Sequence, residues 1–524
     1  MNKLKIYLMV FALCALGACS EDWLDTEPRN SVTDTNFYKT PADAYTALVG
    51  CYDGLQVVWA GGASFPVATT VLSDESFGGG GVSDDYNYQM LDEFDKSRSP
   101  SALNMYADNW TAYYRAIYRC NVLIGKMDQI EWNGNETLRN TYESEARFLR
   151  AYLYFDMVRL WGNIPLLTEP STENLEQAHP DEVYKVIAED LKFAAENLAG
   201  DAPVEGRVSK WAAESLLGRV FLYYTGYYGK GDLVGVVSKA DALAYLEDVI
   251  TNGGFALVED FAELWPAASL DDYAGEGNSE TIFSIKYTYT SDYDGNTDGN
   301  HWMVMFGIRE QSLYPYGNGW GFGTVNPDLW NAYSDTDTRK AASIISISDE
   351  ELEFTKKEFQ REYTGYYVKK YAPRSYPDGT SYPDSLGAVN FMLGQFQDYI
   401  AIRYADVLLM AAELGSPNAQ VYFDEVRERA YGNDFSQTIV SEANIIEERR
   451  LEFAFEGIRY WDLLRQGLDY AANAVQESTT VINGGVVEDK IIEPSGLIET
   501  KGLQQIPNTQ ITLSDGVLKQ NTGW

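Results

Sequence analysis

The sequence has few of the residues from which most catalytic and metal centres are built. Its 524 residues include only two histidines and four cysteines. The histidines, His179 and His301, are far apart along the chain, and no cysteine pair has the spacing of a zinc ligand set. A histidine-based catalytic triad or a histidine-rich metal site therefore has almost nothing to build on.

Basic residues are scarce as well. The chain has 40 lysines and arginines against 78 aspartates and glutamates, a formal net charge of −38. If residues 1–18 are removed, Lys3 and Lys5 leave with them and no acidic residue does, so the balance becomes 38 minus 78, or −40. Such a surface repels phosphate backbones, and we expect no nucleic-acid partner.

Long apolar runs are missing too. No stretch reaches the ~20 residues that a membrane-spanning helix needs. The run from Ile6 to Leu16 follows Lys3 and Lys5 and precedes small residues, which is the pattern of a signal peptide over residues 1–18. We therefore expect no segment of the mature chain to cross a membrane.

The end of the signal segment indicates a lipid anchor. Leu16-Gly17-Ala18-Cys19 resembles a bacterial lipobox, in which the cysteine is acylated and becomes the new N-terminus. The alternative is a plain signal peptide that happens to contain a cysteine. The acidic run from Ser20 to Asp25 resembles the export signal that sends lipoproteins of Bacteroidetes to the cell surface. We predict lipidation at Cys19, with residues 19–40 as the lipidated N-terminus and tether.

Two cysteines remain in the body of the chain, Cys51 and Cys120. Both lie in runs with helical character, Ala44 to Leu55 and Trp110 to Met127. They are either two small buried residues or a disulfide between neighbouring helices, and the sequence leaves both open.

Aromatic residues, in contrast, are abundant. The chain has 38 tyrosines, 12 tryptophans and 22 phenylalanines. Tyrosine and tryptophan combine a flat apolar face with a polar tip, and such faces stack on sugar rings. Many of these side chains belong in the core of any protein, so only those in loops count as evidence for binding.

Hydrophobic periodicity predicts a chain made mainly of helices. The helical runs are Asn36–Leu55, Trp110–Ile130, Glu143–Trp161, Pro180–Leu198, Trp211–Tyr224, Ala240–Ile250, Ile402–Leu414, Ala419–Ala430 and Ser441–Leu464. Trp211–Tyr224 and Ala240–Ile250 loosely resemble a tetratricopeptide unit. A strand is predicted over Glu280–Thr290, and residues 501–524 are loop-like. The glycine run Gly78–Gly81 lacks the Lys-Ser/Thr of a phosphate loop, and we interpret it as a mobile surface loop.

Several segments, taken in order, resemble the SusD/RagB family. They are Glu145–Ala151, Trp161–Leu166, Gly206–Ala213, Ile402–Met410, Glu448–Phe453, Glu456–Arg465, Ile506-Pro507 and Gln520–Trp524. Each is weak alone, but together they cover almost the whole mature chain behind a lipobox.

The resemblance implies a fold and a function. The expected fold is a tetratricopeptide-like helical scaffold packed against an irregular, loop-rich half with a few short strands. Residues 41–265 would form the N-terminal helical region and residues 266–524 the C-terminal region, packed on it as one globular unit. The expected function is that of an outer-membrane lipoprotein, facing the cell surface, that binds a glycan or other nutrient and delivers it to a SusC-type TonB-dependent transporter. The family has no catalytic activity.

The charged residues of these segments are interpreted as scaffold. Glu448, Glu452 and Glu456 follow i, i+4, i+8 spacing, which also suits a metal site or a carboxylate pair for glycosidic cleavage. An ion network is favoured, with counter-charges from the arginines of the same run, Arg449, Arg450, Arg459 and Arg465. The same interpretation covers Arg403 with Asp406 and Glu145 with Arg147 and Arg150. Trp161, Trp211 and Trp461 are predicted to be core.

One stretch resembles the start of a calcium loop: Asp292, Asp294, Asn296 and Asp298 alternate as ligands would. It fails as an EF-hand because Thr297 occupies the glycine position and Met303 the position of the bidentate glutamate. No cofactor and no metal are predicted, although an irregular calcium site at these four residues is left open.

The ligand is expected in two aromatic loop regions, Asp74–Tyr106 and Tyr287–Trp320. No family motif transfers individual ligand contacts, so these are predictions from residue type. The predicted stacking residues are Trp302, Tyr314, Tyr316 and Trp320, with Tyr86 and Tyr88 beside them. Asp74 and Asn87 are the predicted hydrogen-bond partners, and no catalytic residue is predicted. The alternatives are a surface glycoside hydrolase and a helical-repeat scaffold that binds only the transporter complex.

Overall fold

A computed structural model describes residues 37–60, 65–98 and 104–524. The predicted signal peptide, Cys19 and the tether up to residue 36 lie outside the described residues.

The first half is a stack of helices. Asn135, Ser209 and Ser238 each accept a hydrogen bond from a first-turn N–H, which fixes where three of the helices begin. α1 packs on α4, and α4 to α7 each pack on the next helix in the chain. In order, the helices are α1 Pro41–Ala60, α2 Phe65–Val71, α3 Asn87–Asp92, α4 Ala107–Lys126, α5 Glu136–Trp161, α6 Pro180–Asn197, α7 Lys210–Tyr228 and α8 Lys239–Asn252.

The second half adds shorter helices and long irregular segments. Its helices are α9 Pro266–Ser269, α10 Met303–Phe306, α11 Pro327–Ala332, α12 Thr338–Ser343, α13 Tyr382–Ser385, α14 Tyr404–Glu413, α15 Ala419–Tyr431, α16 Glu442–Glu452, α17 Arg459–Arg465, α18 Leu468–Val475, α19 Ser495–Thr500 and α20 Asn508–Leu513. α14 packs on α7 and α8, and α17 packs on α7, so the stack continues into this half.

The strands are short and form only two-stranded sheets within the described residues. They are β1 Ser76–Gly79, β2 Ile164–Pro165, β3 Gln177–Ala178, β4 Thr281–Ile285, β5 Ile308–Arg309, β6 Asn318–Gly319, β7 Phe322–Val325, β8 Ile344–Ser346, β9 Tyr366–Val368, β10 Tyr399–Arg403, β11 Glu477–Asn483 and β12 Val486–Ile492. The pairs are β1 with β7, β4 with β10, β11 with β12, β2 with β3, β5 with β6 and β8 with β9.

The main hydrophobic core joins the two halves. Its buried side chains run from Ala44 in α1 to Leu518 near the C-terminus. A smaller cluster, which includes Tyr316 and Tyr367, supports the irregular part. The predicted fold, a tetratricopeptide-like helical scaffold with a loop-rich half, is confirmed. The boundary at residues 265 and 266 stays a prediction. Across the described ranges, no helix combines the length and apolar character that crossing a membrane requires.

Several predicted elements need correction. Ser441–Leu464 is two helices, because Phe455 and Gly457 have positive φ and interrupt the helix between Glu452 and Arg459. The predicted strand over Glu280–Thr290 extends only from Thr281 to Ile285. The predicted loop over residues 501–524 contains α20.

The glycine run Gly78–Gly81 is not a mobile surface loop. All four residues are buried, and β1 pairs with β7 so that Gly79 lies opposite Phe322. A Cβ on Gly78 would lie 2.7 Å from the backbone of Tyr88 and Gln89, and one on Gly79 would meet the Gly321 carbonyl oxygen. The glycines are therefore required for close packing of backbone on backbone.

Candidate functional site

In the first predicted loop region, Asp74 is buried within the scaffold. Its carboxylate accepts bonds of 2.7 and 2.8 Å from Arg459 and lies 3.1 Å from Arg450. Burial opposes ionisation, but the two arginines hold the pKa of Asp74 below its ordinary value. The expectation that Asp74 is an accessible ligand partner is therefore wrong, because its carboxylate oxygens are bonded to arginines of α16 and α17.

The tyrosines of that region differ from each other. Tyr88 is buried, with its ring 5.0 Å from that of Phe322 and its hydroxyl donating to Met305 Sδ. The expectation that Tyr88 is an exposed ring able to contact a ligand is therefore wrong. Tyr86 is 43% exposed, and the Arg361 guanidinium lies 3.7 Å from its ring centroid. Asn87 is half-buried. For Tyr86 and Asn87, ligand binding stays a prediction.

In the second region, two predicted stacking residues are core. Trp302 is 1% exposed and packs against Phe306, Tyr371 and Tyr399. Tyr316 is 2% exposed, and its hydroxyl donates to Glu350. The expectation that these two rings are exposed is wrong, because this irregular stretch carries its own core. Trp320 is half-buried, with its ring 5.3 Å from His301, and its role stays a prediction.

Tyr314, by contrast, is 55% exposed and lies near aromatic residues from other loops. Tyr376 stacks on Tyr382 with ring centroids 4.3 Å apart and planes at 17°. Burial raises the pKa of Tyr382 while Arg374 lowers it, and the neighbouring hydroxyls of Tyr376 and Tyr314 add to the rise. The three tyrosines therefore lie together at one surface.

This surface continues toward residue 396. The Phe396 ring, which is itself buried, lies 5.6 Å from the ring of Tyr273 and 6.3 Å from that of Tyr289. Tyr293, 68% exposed, accepts a 2.7 Å bond from Asn390 Nδ2. We call the whole set the aromatic platform: Tyr273, Tyr289, Tyr293, Tyr314, Tyr376, Tyr382 and Phe396.

A shallow pit with polar walls lies within the platform. Arg374 bonds to Asp272 at 2.6 Å and to the Tyr382 hydroxyl at 3.0 Å. Arg374, Asp272, Tyr382, Phe396 and Gln397 all line the pit. Arg374 Nε and Gln397 Oε1 are buried there, and neither has a hydrogen-bond partner among the described residues. Because both atoms are closed to solvent, the polar groups that a sugar can reach here are the Asp272 carboxylate and the Tyr382 side chain.

Backbone contacts hold these loops in place. Ser375 N–H donates to the Pro315 carbonyl, and Ser375 Oγ donates to that of Tyr316, which ties the Tyr314 loop to the Tyr376 loop. Asn300 N–H donates to the Gln395 carbonyl and Asn300 Nδ2 to that of Gln397. The platform is thus built on ordered loops, which lowers the entropy cost of binding.

The sequence contained a signal for part of this site. Tyr376 and Tyr382 flank Pro377-Asp378-Gly379, a turn motif that reverses the chain, and Tyr376 N–H donates to the Thr380 carbonyl. Two tyrosines on either side of a tight turn are held close together. No comparable pattern identifies Tyr273, Phe396 or Arg374, which tertiary packing brings in.

The acidic residues of the family-like segments form ion pairs, as predicted. Arg339 contacts Glu448 at 2.6 Å and Glu452 at 2.8 Å, and Arg403 contacts Glu456 at 2.8 Å. The predicted counter-charges are wrong, since these cations come from other elements. Arg449 instead pairs with Asp406 and Asp462, Arg450 and Arg459 pair with Asp74, and Arg465 pairs with Glu413 and Asp462.

The residues of the other predicted ion pairs are also scaffold, but the predicted partners are wrong. Glu145 pairs with Arg207, and Arg147 and Arg150 both pair with Asp190. Asp406 is bound by Arg219 as well as Arg449. Trp161 and Trp461 are buried, and Trp211 is half-buried.

Two acidic clusters within the described residues have the spacing for a metal ion, but a lysine lies at each. Lys490 Nζ lies 2.8 Å from Asp92, 3.0 Å from Glu93 and 2.5 Å from Glu362. Lys286 Nζ lies 2.9 Å from Glu205, 3.3 Å from Glu276 and 2.5 Å from Asp398. The lysines supply the positive charge at both places.

The possible calcium loop shows a different geometry. Asp292 Oδ1 accepts bonds from the N–H groups of Asp294 and Asn296, and Asn296 Oδ1 accepts one from Asp298. Its three aspartates are not among the acidic clusters close enough to share one ion. An irregular calcium site there stays a prediction.

Cys51 and Cys120 are buried, free thiols in contact across α1 and α4. The hydrogen bond from Cys120, together with burial, raises the pKa of the Cys51 thiol. The structure thus shows two packed thiols.

Two larger cavities lie elsewhere. One of about 390 Å³ is lined by Phe94, Glu499 and Trp524, and one of about 340 Å³ by Arg207, Trp211 and Phe255. Neither lining contains an exposed pair of stacked rings. The aromatic platform brings four exposed rings, Tyr273, Tyr293, Tyr314 and Tyr376, beside polar groups, and it is the better candidate for binding a sugar.

Comparisons with known proteins agree on one family. A SusD family model matches residues 352–524, and a model described as starch-binding and associating with the outer membrane matches residues 22–222. A SusD-like protein of Formosa agariphila is 27% identical over 550 residues, covering 95% of this chain and 97% of its own.

Solved structures share the fold. A laminarin-binding SusD-like protein, 28% identical, superposes with a TM-score of 0.72 over 93% of this chain and 100% of its own. Surface glycan-binding protein A from Bacteroides thetaiotaomicron, in complex with laminarihexaose, has a TM-score of 0.74 at 22% identity and the same coverage. At that identity the second match is evidence for the fold alone.

Proposed function

Because the chain belongs to the SusD/RagB family, we propose that it captures a glycan at the cell surface and delivers it to a SusC-type TonB-dependent transporter. The observation that carries the proposal is the aromatic platform. Its exposed rings, Tyr273, Tyr293, Tyr314 and Tyr376, offer flat apolar faces to sugar rings. The Asp272 carboxylate beside them offers an acceptor to sugar hydroxyls.

We further propose that the protein binds its ligand without cleaving it. The solved relatives are described as glycan-binding proteins rather than hydrolases. The carboxylates of the family-like segments are engaged with arginines and lysines, so they are poor candidates for an acid–base pair. Attachment to the outer membrane through a lipid on Cys19 completes the proposal.

The test of the platform is a double variant, Tyr314→Ala with Tyr376→Ala, which removes two exposed rings. We expect roughly tenfold weaker glycan binding, because each ring that stacks on a sugar contributes about 0.5–1.5 kcal/mol. A glycan array that includes laminarihexaose would identify the ligand, and isothermal titration calorimetry would measure the change. Tyr118→Ala is the matched control, since Tyr118 is an exposed tyrosine on α4, away from the platform loops.

Three outcomes would contradict the proposal. Unchanged affinity of the double variant would exclude the platform as the site. New reducing ends after incubation with the bound glycan would indicate a hydrolase. Co-purification with a transporter in the absence of any glycan or peptide binding would favour a scaffold.

A further inference from the structure

The loops that form the aromatic platform carry charge of almost one sign. Segments 271–276, 286–301, 310–317 and 374–397 contain every platform residue. Their exposed or half-buried carboxylates are Asp271, Asp272, Glu276, Asp292, Asp294, Asp298, Glu310, Asp378 and Asp384. Asp272, Glu276 and Glu310 pair with Arg374, Lys286 and Arg309, which leaves six without a cationic partner among the described residues. A ligand lying on the platform therefore approaches a rim of negative charge.

The cations of these four segments are already engaged. Arg374 is paired with Asp272 at 2.6 Å. Lys286 is shared by Asp398 at 2.5 Å, Glu205 at 2.9 Å and Glu276 at 3.3 Å. Burial lowers the pKa of His301, which keeps that imidazole neutral at physiological pH. In these segments, all of which the structure describes, no arginine or lysine is left without a carboxylate partner.

Recognition of a carboxylate or sulfate on a sugar requires a free arginine or lysine, or backbone N–H groups directed at the anion. An uncharged sugar requires only ring faces and hydrogen-bonding groups, which need no charge. The rim therefore disfavours anions, while an uncharged sugar meets no such repulsion.

Building on the proposed function, we infer that the platform selects uncharged glycans and rejects glycans that carry uronate or sulfate groups. The rim repels an anionic chain before it reaches the rings. At physiological ionic strength this repulsion extends over a Debye length of about 8 Å, which spans the distance between neighbouring platform rings.

The first experiment compares neutral and anionic polysaccharides on the wild-type protein at low and high salt. We expect neutral glycans to bind and anionic ones, such as polyuronates and sulfated polysaccharides, to bind at least tenfold more weakly at low salt, with a smaller difference at high salt. Tighter binding of anionic glycans would overturn this inference and leave the proposed function standing. Binding of no glycan at all would overturn both.

The second experiment neutralises the rim with Asp294→Asn, Asp378→Asn and Asp384→Asn together. No arginine or lysine in the described part of the chain pairs with these three residues. Asparagine keeps their size and, at Asp378, the turn bond from Thr380 N–H. We expect affinity for neutral glycans to change less than about twofold. Affinity for an anionic derivative of the same glycan should rise severalfold at low salt.

The matched control removes three exposed carboxylates from the loop between β2 and β3, with Glu169→Gln, Glu173→Gln and Glu176→Gln. This variant has the same net charge as the rim variant. A similar gain in affinity for the anionic glycan in both variants would show that the effect comes from the overall charge. That result would overturn the inference that the local rim selects the ligand. No gain in the rim variant would overturn the inference as well.

Discussion

At the scale of single residues, two adjacent acidic side chains, Asp74 and Glu75, are both buried but have different partners. Glu75 follows the ion-paired Asp74, yet it is buried and neither of its carboxyl oxygens has a hydrogen-bond partner among the described residues. Burial, together with the charge of Asp74, raises the pKa of Glu75 to about 8. The pKa values of two adjacent acids are thus shifted in opposite directions, because only Asp74 is bonded directly to arginines.

The raised pKa of Glu75 predicts a pH-dependent cost to stability. Between pH ~4.3 and 8 the unfolded chain releases this proton and the folded chain keeps it, so this group makes the free energy of unfolding fall as the pH rises. Glu75→Gln removes that cost. We expect the variant to gain several degrees in Tm relative to wild type at pH 8, with little gain at pH 4.5, measured by thermal unfolding. An equal difference at both pH values would contradict the assignment.

At the scale of elements, the β1–β7 pair shows how glycines hold the irregular half together. Gly79 has φ +66° and lies against Gly321, and Gly80 lies against the Phe322 ring. α1 contains a contrasting glycine, Gly50, whose added Cβ would meet nothing within 4 Å. The same residue type is required at one position and merely tolerated at the other.

This contrast predicts opposite effects of alanine. Gly79→Ala should destabilise the protein by several kcal/mol, because the methyl group meets backbone and φ is unfavourable. Gly50→Ala should stabilise it by about 0.5–1 kcal/mol, because alanine is the better helix former. Chemical denaturation measures both changes. A neutral Gly79→Ala would show that β1 and β7 can separate at little cost.

At the scale of the whole molecule, charge and attachment act together. The chain has a net charge of −38, and its platform rim shares that sign. Such a charge discourages nonspecific adsorption of anionic polymers. The proposed link to the membrane is a covalent lipid on Cys19.

The lipid anchor is tested at this scale. Cys19→Ala should abolish labelling with palmitate and move the protein out of the outer-membrane fraction. Cys14→Ala, a cysteine change in the apolar part of the same signal segment, is the control and should leave both unchanged. Retention of the Cys19→Ala variant in the membrane would show that another feature holds it there.

Much of the scaffold could be predicted because helical periodicity is local. The apolar spacing of Glu143–Trp161 predicted the C-terminal part of α5, and the resemblance of the dispersed segments predicted the family. Helix ends were less accurate where backbone geometry intervened, as between Glu452 and Arg459. The ion network was predicted as a type of interaction, but its partners were not, since Arg339 and Arg403 reach Glu452 from remote elements.

The sequence by itself determined the helical class, the acidic surface, the predicted anchor at Cys19 and the wealth of aromatic rings. Only the tertiary structure decided which rings face solvent. Trp302 and Tyr314 lie in the same aromatic stretch, yet one is core and the other exposed. The physical reason is that exposure in an irregular segment depends on what packs over it. No periodicity records that packing, which here comes from loops more than sixty residues away in the chain.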